Sequence, residues 1–164
     1  MRLKVSWNLL NPKVMQVPMN KGTYVSAHFS DSTLNQLEKF QKELGLLNPV
    51  PREKLHCTIC YSRVGIPYKP LNNYYAGISG ELEIWDTKYG RTLVLKLNSD
   101  QLKERHDYSM ILGATYDFPE YIPHITLSYN LGGQKINEDS NIYIDLFVDH
   151  EHVDELDDNW SDDK

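Results

Sequence analysis

Two short segments of the sequence, HCTICY and HITLSY, repeat a pattern of side chains that can transfer protons. Their first residues, His56 and His124, lie 68 positions apart. Each histidine is followed two residues later by a threonine, which is Thr58 in the first segment and Thr126 in the second. Because side chains alternate between the two faces of a β-strand, each histidine is predicted to share a face with its threonine. The other face of each segment is predicted to pack in the core through Cys57, Ile59, Tyr61, Ile125, Leu127 and Tyr129.

Two histidines that face one cleft could act as the acid and the base at a phosphodiester. Histidine titrates near neutral pH, so one ring can be neutral while the other is charged. The neutral ring takes a proton from the attacking hydroxyl or water, and the charged ring gives a proton to the leaving oxygen. In-line displacement places these events on opposite sides of phosphorus, and the threonine hydroxyls can donate to the non-bridging oxygens. The competing interpretation is that the histidines are ordinary sheet residues and the threonines reflect β-propensity.

Other kinds of site fit the sequence less well. The metal-binding spacings H-x-x-x-H and H-E-x-x-H are absent, as are the G-x-S-x-G motif of serine hydrolases and the phosphate-loop motif G-x-x-x-x-G-K. Cys57 and Cys60 form a single C-x-x-C pair. Strand positions three apart point to opposite faces, so the two thiols are predicted to diverge. We therefore predict neither a metal nor a cofactor.

The charge is distributed unevenly along the chain. Residues 151–164 hold seven acidic residues and one lysine, which accounts for the whole net charge of −6. The rest of the chain is neutral, whereas binding of long nucleic acids needs a basic surface. We expect a small anion, rather than a long nucleic acid, as the partner. Residues 1–13 are not followed by an apolar run that could serve as a signal peptide or a membrane span, so a cytoplasmic protein is expected.

The pattern of apolar residues predicts an α+β fold. Strands are predicted at residues 22–30, 55–61, 81–85, 91–97, 125–129 and 142–148, and helices at residues 31–47 and 99–112. A helix precedes each His-x-Thr strand, which predicts two similar halves, each with a helix on an antiparallel sheet. The chain, residues 1–164, is predicted to form one bilobal domain around a central cleft, with an N-terminal extension (1–21) and an acidic C-terminal tail without periodicity (149–164).

The paired His-x-Thr-apolar pattern resembles the signature of the 2H phosphoesterases, and the order of segments matches from about residue 22 to residue 148. The resemblance implies a LigT-like fold, with two pseudo-symmetric antiparallel sheet lobes and flanking helices around a central cleft. It also implies metal-independent cleavage of phosphodiesters or cyclic phosphates. The residues that match the catalytic positions are His56, Thr58, His124 and Thr126.

Three longer segments, GTYVSAHF, NPVPREKLHCTICYSR and EYIPHITLSYN, are similar to the phage anti-CBASS proteins. The similarity implies an enzyme that degrades the cyclic di- and trinucleotide messengers of bacterial immunity. The implied reaction opens a 3′–5′ linkage, with the adjacent ribose 2′-hydroxyl as the nucleophile, and gives linear oligonucleotides. The implied substrate-binding residues are Tyr24, Glu155 and Trp160, and Glu151 is an alternative to Glu155.

Two other functions are compatible with the motifs. One is an RNA-processing enzyme that opens 2′,3′-cyclic phosphate ends, although the neutral body of the chain disfavours an RNA-sized substrate. The other is a protein that sequesters cyclic nucleotides without cutting them. Binding alone does not require a paired acid and base, so the intact histidines and threonines favour an enzyme.

The remaining histidines and one lysine are predicted to have smaller roles. His28 shares a strand face with the predicted binding tyrosine and could line the cleft. His106 lies in the charged segment KERHD and is predicted to be solvated. His150 and His152 are predicted to mark the exit of the last strand. Lys54 precedes the first motif and could contact either a phosphate or solvent.

Overall fold

The computed structural model describes residues 21–156, and the remaining residues, 1–20 and 157–164, lie outside the described part. The described residues form two helices, one 3₁₀ turn and six strands, which confirms the predicted α+β class. In chain order these elements are β1 (Gly22–Phe29), α1 (Asp31–Glu43), the turn (Arg52–Lys54), β2 (Cys57–Ser62), β3 (Tyr74–Thr87), β4 (Gly90–Asn98), α2 (Asp100–Ile111), β5 (His124–Ser128) and β6 (Asp145–Leu156).

The strands form one antiparallel sheet in the order β2-β1-β6-β3-β4-β5. The two strands that carry the His-x-Thr motifs, β2 and β5, therefore lie at opposite edges of the sheet. These edges contact each other, so the sheet curves until the motif strands meet. Sequence analysis predicts a separate sheet in each half. Pairing between β3 and β6, for example of Tyr75 with Phe147, instead joins the halves into one sheet.

The two halves of the chain reach their motif strands in the same way. β1 leads into α1 and then β2, and β4 leads into α2 and then β5. Each helix begins after a serine cap, Ser30 or Ser99, whose hydroxyl accepts a bond from the backbone N–H three residues later. Each helix ends close to a glycine with positive φ, Gly45 (69°) or Gly113 (107°), which suits a left-handed position. α1 therefore stops at Glu43, short of its predicted end at residue 47.

The last strand, β6, begins and ends later than predicted. Residues 149–156, predicted to belong to the acidic tail, form part of a central strand between β1 and β3. The register against β1 shifts at Asp149, which breaks the alternation of buried and exposed residues. A buried position that follows holds a carboxylate, Glu151, instead of an apolar side chain. A prediction from hydrophobic periodicity alone therefore ends this strand at residue 148.

β3 starts at Tyr74, well before the predicted start at residue 81. The prediction missed the first residues of the strand because they lack an alternation of apolar and polar side chains. Gly77 has a φ of 91°, and a side chain at this position would collide with the backbone carbonyl of Asn98 on β4. The close approach of the two strands thus requires glycine here. The sequence signal for a strand is therefore weak at a point where two strands approach closely.

Both helices contribute to one hydrophobic core. Leu37 and Phe40 of α1 and Leu102 of α2 are buried against apolar side chains of the sheet. Burial of each such side chain stabilises the fold by about 1.5–3 kcal/mol relative to exposure. Neither of the helices in the described part is long and apolar enough to cross a membrane. The strand residues of this core include Val25, Ala27, Ile59, Leu93, Leu95, Ile125, Leu146 and Val148.

Candidate active site

The two motifs meet in one pocket with a volume of about 520 Å³. All four residues of the predicted acid–base site line this pocket, together with Tyr24. Motif residues that are 68 positions apart in the chain thus face the same space. The described lining is Tyr24, Lys54, His56, Thr58, Tyr61, Tyr89, His124, Thr126 and Tyr129.

Each motif histidine is held by the backbone in the same way. The Nδ1 atom of His56 lies 2.8 Å from the carbonyl oxygen of Lys54, and that of His124 lies 2.8 Å from the carbonyl oxygen of Ile122. A carbonyl oxygen can only accept a hydrogen bond, so Nδ1 carries the hydrogen in both rings. In the neutral ring Nε2 is then the base, and in the charged ring Nε2–H is the acid. Both rings are therefore set to exchange a proton through Nε2.

Tyr24 connects the histidine and the threonine of the first motif. Its hydroxyl lies 2.9 Å from His56 Nε2 and 3.0 Å from Thr58 Oγ1. Burial raises the pKa of Tyr24 to about 12, so the hydroxyl keeps its proton at neutral pH. It can donate to one of these neighbours while it accepts from the other. Tyr24 thus lines the pocket, as the sequence predicts, and also belongs to the hydrogen-bond network of His56.

A β-bulge in each motif strand turns the final tyrosine of the motif into the pocket. The extra residue is Ile59 in β2 and Leu127 in β5. A bulge reverses the alternation of the side chains that follow it. Tyr61 and Tyr129 therefore line the pocket, and the prediction that both pack in the core is wrong. The residues that would otherwise face the pocket are buried instead: Cys60 and Ser128.

The bulge in β2 is held by two side chains from the second half of the protein. The carbonyl oxygen of Thr58 accepts a 2.7 Å hydrogen bond from the Tyr121 hydroxyl, and that of Ile59 accepts a 2.8 Å bond from His106 Nδ1. The rings of His106 and Tyr121 stack with their centres 4.1 Å apart. His106 is only 6% exposed, so the prediction of a solvated histidine is wrong. Its charged sequence neighbours conceal the packing of this position of α2 against β2.

The bulge in β5 is held from the first half. Gln41 of α1 donates from Nε2 to the carbonyl oxygens of Leu127 (3.1 Å) and Val50 (3.0 Å). Each helix therefore supports the motif strand of the opposite half. Sequence reasoning missed this role, although one signal was present. Gln41 lies at helical spacing from apolar Leu37 and Leu44, where a polar residue must find a buried partner.

The two motif histidines differ in their surroundings. Burial lowers the pKa of His124 below its usual range, and the nearby His56 adds to this effect. The hydrogen bond to the carbonyl of Ile122 acts in the opposite direction without cancelling the shift. The Trp85 ring, which sequence reasoning did not assign to the site, packs edge-on with its centre 4.6 Å from that of His124. His124 is therefore biased towards the neutral form, which can act as a base.

Three further histidines gather beside His56. His28 of β1 stacks on His150 of β6 with ring centres 4.9 Å apart, and it lies 6.1 Å from both His56 and His152. His150 and His152 lie within β6 rather than at the exit of the last strand. Across residues 21–156, no group of three histidine, cysteine or acidic side chains is placed to hold a metal ion. The two cysteines of the chain, Cys57 and Cys60, are free and buried.

Replacing His28 with glutamine is expected to make the protein less sensitive to acid. Burial, followed by the neighbouring histidines His150, His56 and His152, lowers the pKa of His28 from 6.5 to about 4. The wild type should therefore lose unfolding free energy as pH falls from about 6.5 towards 4, because the unfolded chain binds a proton that folded His28 does not. The variant should lose less over this window, as measured by urea unfolding at a series of pH values. Above about pH 7, where histidine is neutral in both states, the two proteins should behave in parallel. If the free energy of unfolding falls equally steeply with pH in both proteins below that pH, the lowered pKa of His28 would be contradicted.

The two candidate acids near the end of the chain differ in burial. The side chain of Glu151 is fully buried and forms an ion pair with Arg105, so it is not available to a ligand. The side chain of Glu155 is 68% exposed and lies 3.9 Å from Lys21. Of the two alternatives, Glu155 is the one that a ligand could reach. Trp160, the predicted base-stacking residue, lies outside the described residues.

Glu155 nevertheless lies away from the pocket of the two motifs. Because side chains alternate along β6, Glu155 points to the face opposite His152 and Asp154. It lines a separate depression of about 140 Å³. Asp154 lies on the histidine face, since its carboxylate is 3.0 Å from His152 Nε2 and its backbone pairs with Tyr24. Sequence reasoning missed Asp154 because β6 was predicted to end at residue 148.

Comparison with known proteins shows similarity over most of the chain. A family model described as anti-CBASS protein Acb1 matches residues 21–163. The anti-CBASS protein Acb1 of Salmonella phage S16 is 50% identical over 145 residues, which cover 88% of this chain and 94% of that protein. The protein of the same name from Enterobacteria phage T4 is 50% identical over 143 residues (87% and 93%). That of Acinetobacter phage Ac42 is 45% identical over 143 residues (87% and 95%).

Proposed function

This chain belongs to the anti-CBASS protein Acb1 family, and from that premise we propose a metal-independent phosphodiesterase of the 2H phosphoesterase type. Its proposed substrates are the cyclic di- and trinucleotide messengers of CBASS defence, which it opens at 3′–5′ linkages in the cytoplasm of the host bacterium. The observation that supports this reaction best is the matched pair His56 and His124. Both rings line one pocket, both are bonded through Nδ1 to a backbone carbonyl, and each has a threonine two residues away.

In the proposed reaction His124 is the base and His56 is the acid. Burial favours neutral His124, which takes the proton from the ribose 2′-hydroxyl next to the linkage. The 2′-oxygen forms a bond to phosphorus while the bond to the 5′-oxygen breaks, and His56 Nε2–H protonates that leaving oxygen. The product is a linear oligonucleotide with a 2′,3′-cyclic phosphate end. Water then attacks this end with the roles of the histidines reversed, which completes the hydrolysis.

The other polar groups of the pocket suit a transition state with negative charge on oxygen. Thr58 and Thr126 can donate hydrogen bonds to the two non-bridging phosphate oxygens, where charge increases during displacement. Lys54 lines the same pocket and adds a positive charge. The Tyr24 hydroxyl can accept from the charged ring of His56 and so hold it in place before the ligand binds. In this scheme the side chains of the pocket supply both proton transfer and charge stabilisation.

Incubation of the protein with cyclic dinucleotides and trinucleotides in EDTA is expected to give linear products. Chromatography separates intact rings from opened ones. The RNA-processing alternative predicts that an RNA with a 2′,3′-cyclic phosphate end is turned over faster than the cyclic substrates, since the second step of the proposed reaction opens such an end as well. Cyclic ligands that bind tightly but are recovered intact would indicate sequestration. A panel in which every cyclic di- and trinucleotide remains uncut contradicts the proposed reaction. Loss of turnover on chelation contradicts its independence of metal.

A further inference from the structure

Two pairs of tyrosines flank the motif histidines, one pair from each half of the protein. The rings of Tyr24 and Tyr61 pack edge to face with their centres 5.6 Å apart. The rings of Tyr89 and Tyr129 pack in the same manner at 5.4 Å. Tyr61 and Tyr129 are the last residues of the two motifs, and all four tyrosines line the pocket. The pocket therefore repeats an aromatic pair as well as a histidine and a threonine.

The pair in the second half is held in position by the backbone. Tyr89 lies in the turn between β3 and β4, and its N–H donates to the Thr87 hydroxyl at 3.1 Å. Tyr129 directly follows β5 beyond the bulge, and its carbonyl oxygen accepts a 2.8 Å bond from the Thr92 hydroxyl. The two residues are 42% and 39% exposed, so a ligand in the pocket can reach both rings. Large aromatic side chains this exposed at a pocket wall suit a flat ligand.

The chemistry of a phosphodiester explains why two aromatic pairs are needed. A linkage held between His56 and His124 carries one nucleoside on its 3′-oxygen side and another on its 5′-oxygen side. In-line displacement puts the attacking 2′-oxygen and the leaving 5′-oxygen on opposite sides of phosphorus, so the sugars that carry them face opposite halves of the pocket. A nucleobase that stacks on an aromatic ring gains about 1–3 kcal/mol, whichever base it is. A terminal 2′,3′-cyclic phosphate presents one nucleoside and would occupy only one pair.

We propose that Tyr89 and Tyr129 form a second nucleobase subsite, opposite the pair Tyr24 and Tyr61. One nucleobase beside the cleaved linkage contacts Tyr24 and Tyr61, and the subsite receives the nucleobase on the other side of that linkage. The preferred substrate therefore has a nucleoside on both sides of phosphorus. This inference rests on the proposed function. Because the contact is stacking rather than recognition of a base edge, the subsite accepts purines and pyrimidines alike.

Binding of a cyclic dinucleotide that carries the fluorescent base 2-aminopurine tests the subsite. The measurement uses the full chain with His124→Ala, which should slow turnover enough for binding to be measured. Added Tyr89→Ala or Tyr129→Ala should raise Kd about 5- to 150-fold and reduce the quenching of 2-aminopurine that stacking causes. Tyr89→Phe keeps the aromatic face and should retain both signals. Tyr143→Ala, whose side chain is exposed outside the pocket, is the matched control and should change neither.

The possible results distinguish failure of the proposed subsite from failure of the proposed reaction. Tyr89→Leu keeps an apolar side chain without an aromatic face, so it should repeat the loss even if an alanine variant folds poorly. Unchanged affinity and quenching in Tyr89→Leu and Tyr129→Ala would overturn the subsite and leave the proposed reaction standing. Tyrosine-dependent binding without cleavage by the wild type would support the subsite and overturn the reaction. A wild type that binds no cyclic dinucleotide would overturn both.

Discussion

Alanine in place of either motif histidine is expected to reduce kcat/KM for a cyclic dinucleotide by about 10²- to 10⁴-fold, the usual contribution of one acid or base. His56→Ala removes the proposed acid and His124→Ala removes the proposed base. Neither change removes the threonines or the tyrosines of the pocket, so much of the binding should survive. Steady-state kinetics and calorimetric titration with the same ligand measure the two effects separately.

His152→Ala is the matched control for these variants. It removes an imidazole from the cluster beside His56, yet its side chain is 53% exposed and does not line the pocket. Its kcat/KM should stay close to that of the wild type. Wild-type turnover in His56→Ala or in His124→Ala would show that the acid–base pair is misassigned.

The pH dependence of kcat/KM reports the same pair. The base must be neutral, so activity should rise with pH through the pKa of His124, which burial lowers below 6.5. The acid must be protonated, so activity should fall again at higher pH, where the acid of the pair is deprotonated. The two limbs belong to the coupled pair rather than to either ring alone. A profile without a rising limb on the acid side would contradict a base that must lose its proton.

Repetition in the sequence made the positions of the pocket histidines and threonines predictable. His56 and His124 each lie 11 residues after a helix-ending glycine, Gly45 or Gly113. His56 directly precedes β2, and His124 is the first residue of β5. Local signals such as a cap, a helix and a strand depend on neighbouring residues, and they therefore appear in the sequence twice. The alternation within a strand was then enough to place each histidine beside its threonine.

Apart from Tyr24, the tyrosines of the pocket were not predictable from local signals. Tyr61 and Tyr129 face the pocket because one residue in each strand is left unpaired, and this depends on partners far along the chain. His106 holds the β2 bulge from 47 residues away, and Gln41 holds the β5 bulge from 86 residues away. If side chains are assumed to alternate strictly along each strand, both tyrosines are assigned to the core. That assumption does not allow for a bulge that a distant element stabilises.

Glu151→Gln is expected to lower the free energy of unfolding by about 3–5 kcal/mol, because it breaks a buried ion pair from one side. The carboxylate of Glu151 accepts bonds from Arg105 Nε (2.9 Å) and Nη2 (2.8 Å), from the Tyr68 and Tyr74 hydroxyls (2.8 and 2.7 Å), and from the Leu71 N–H (2.8 Å). These donors tie α2, β3 and the loop before β3 to the central strand β6. The near-equal volume of glutamine removes the charge without opening a cavity, so urea unfolding of this variant measures the lost pairing.

The buried position of Glu151 also sets how its contribution should vary with pH. Burial alone would raise the pKa of Glu151, but the bonds from Arg105, Tyr74, the Leu71 N–H and Tyr68 outweigh it and lower the pKa. The stabilisation is therefore present above the ordinary glutamate pKa of about 4.3 and is lost as pH falls through the lowered value. The difference in free energy of unfolding between the wild type and Glu151→Gln should therefore become smaller as pH falls below about 4.3.

Two further variants decide whether the effect comes from the ion pair. Glu155→Gln removes an exposed carboxylate from the same strand and should change the free energy of unfolding by no more than about 0.5 kcal/mol. Arg105→Met combined with Glu151→Gln removes both charges and keeps an amide oxygen that can accept from the Tyr68, Tyr74 and Leu71 donors. It should recover part of the stability lost in Glu151→Gln alone, since no buried charge is left unpaired. A Glu151→Gln protein as stable as Glu155→Gln would contradict the role of the carboxylate. In that case Arg105, whose side chain is only 17% exposed, must satisfy its charge without Glu151.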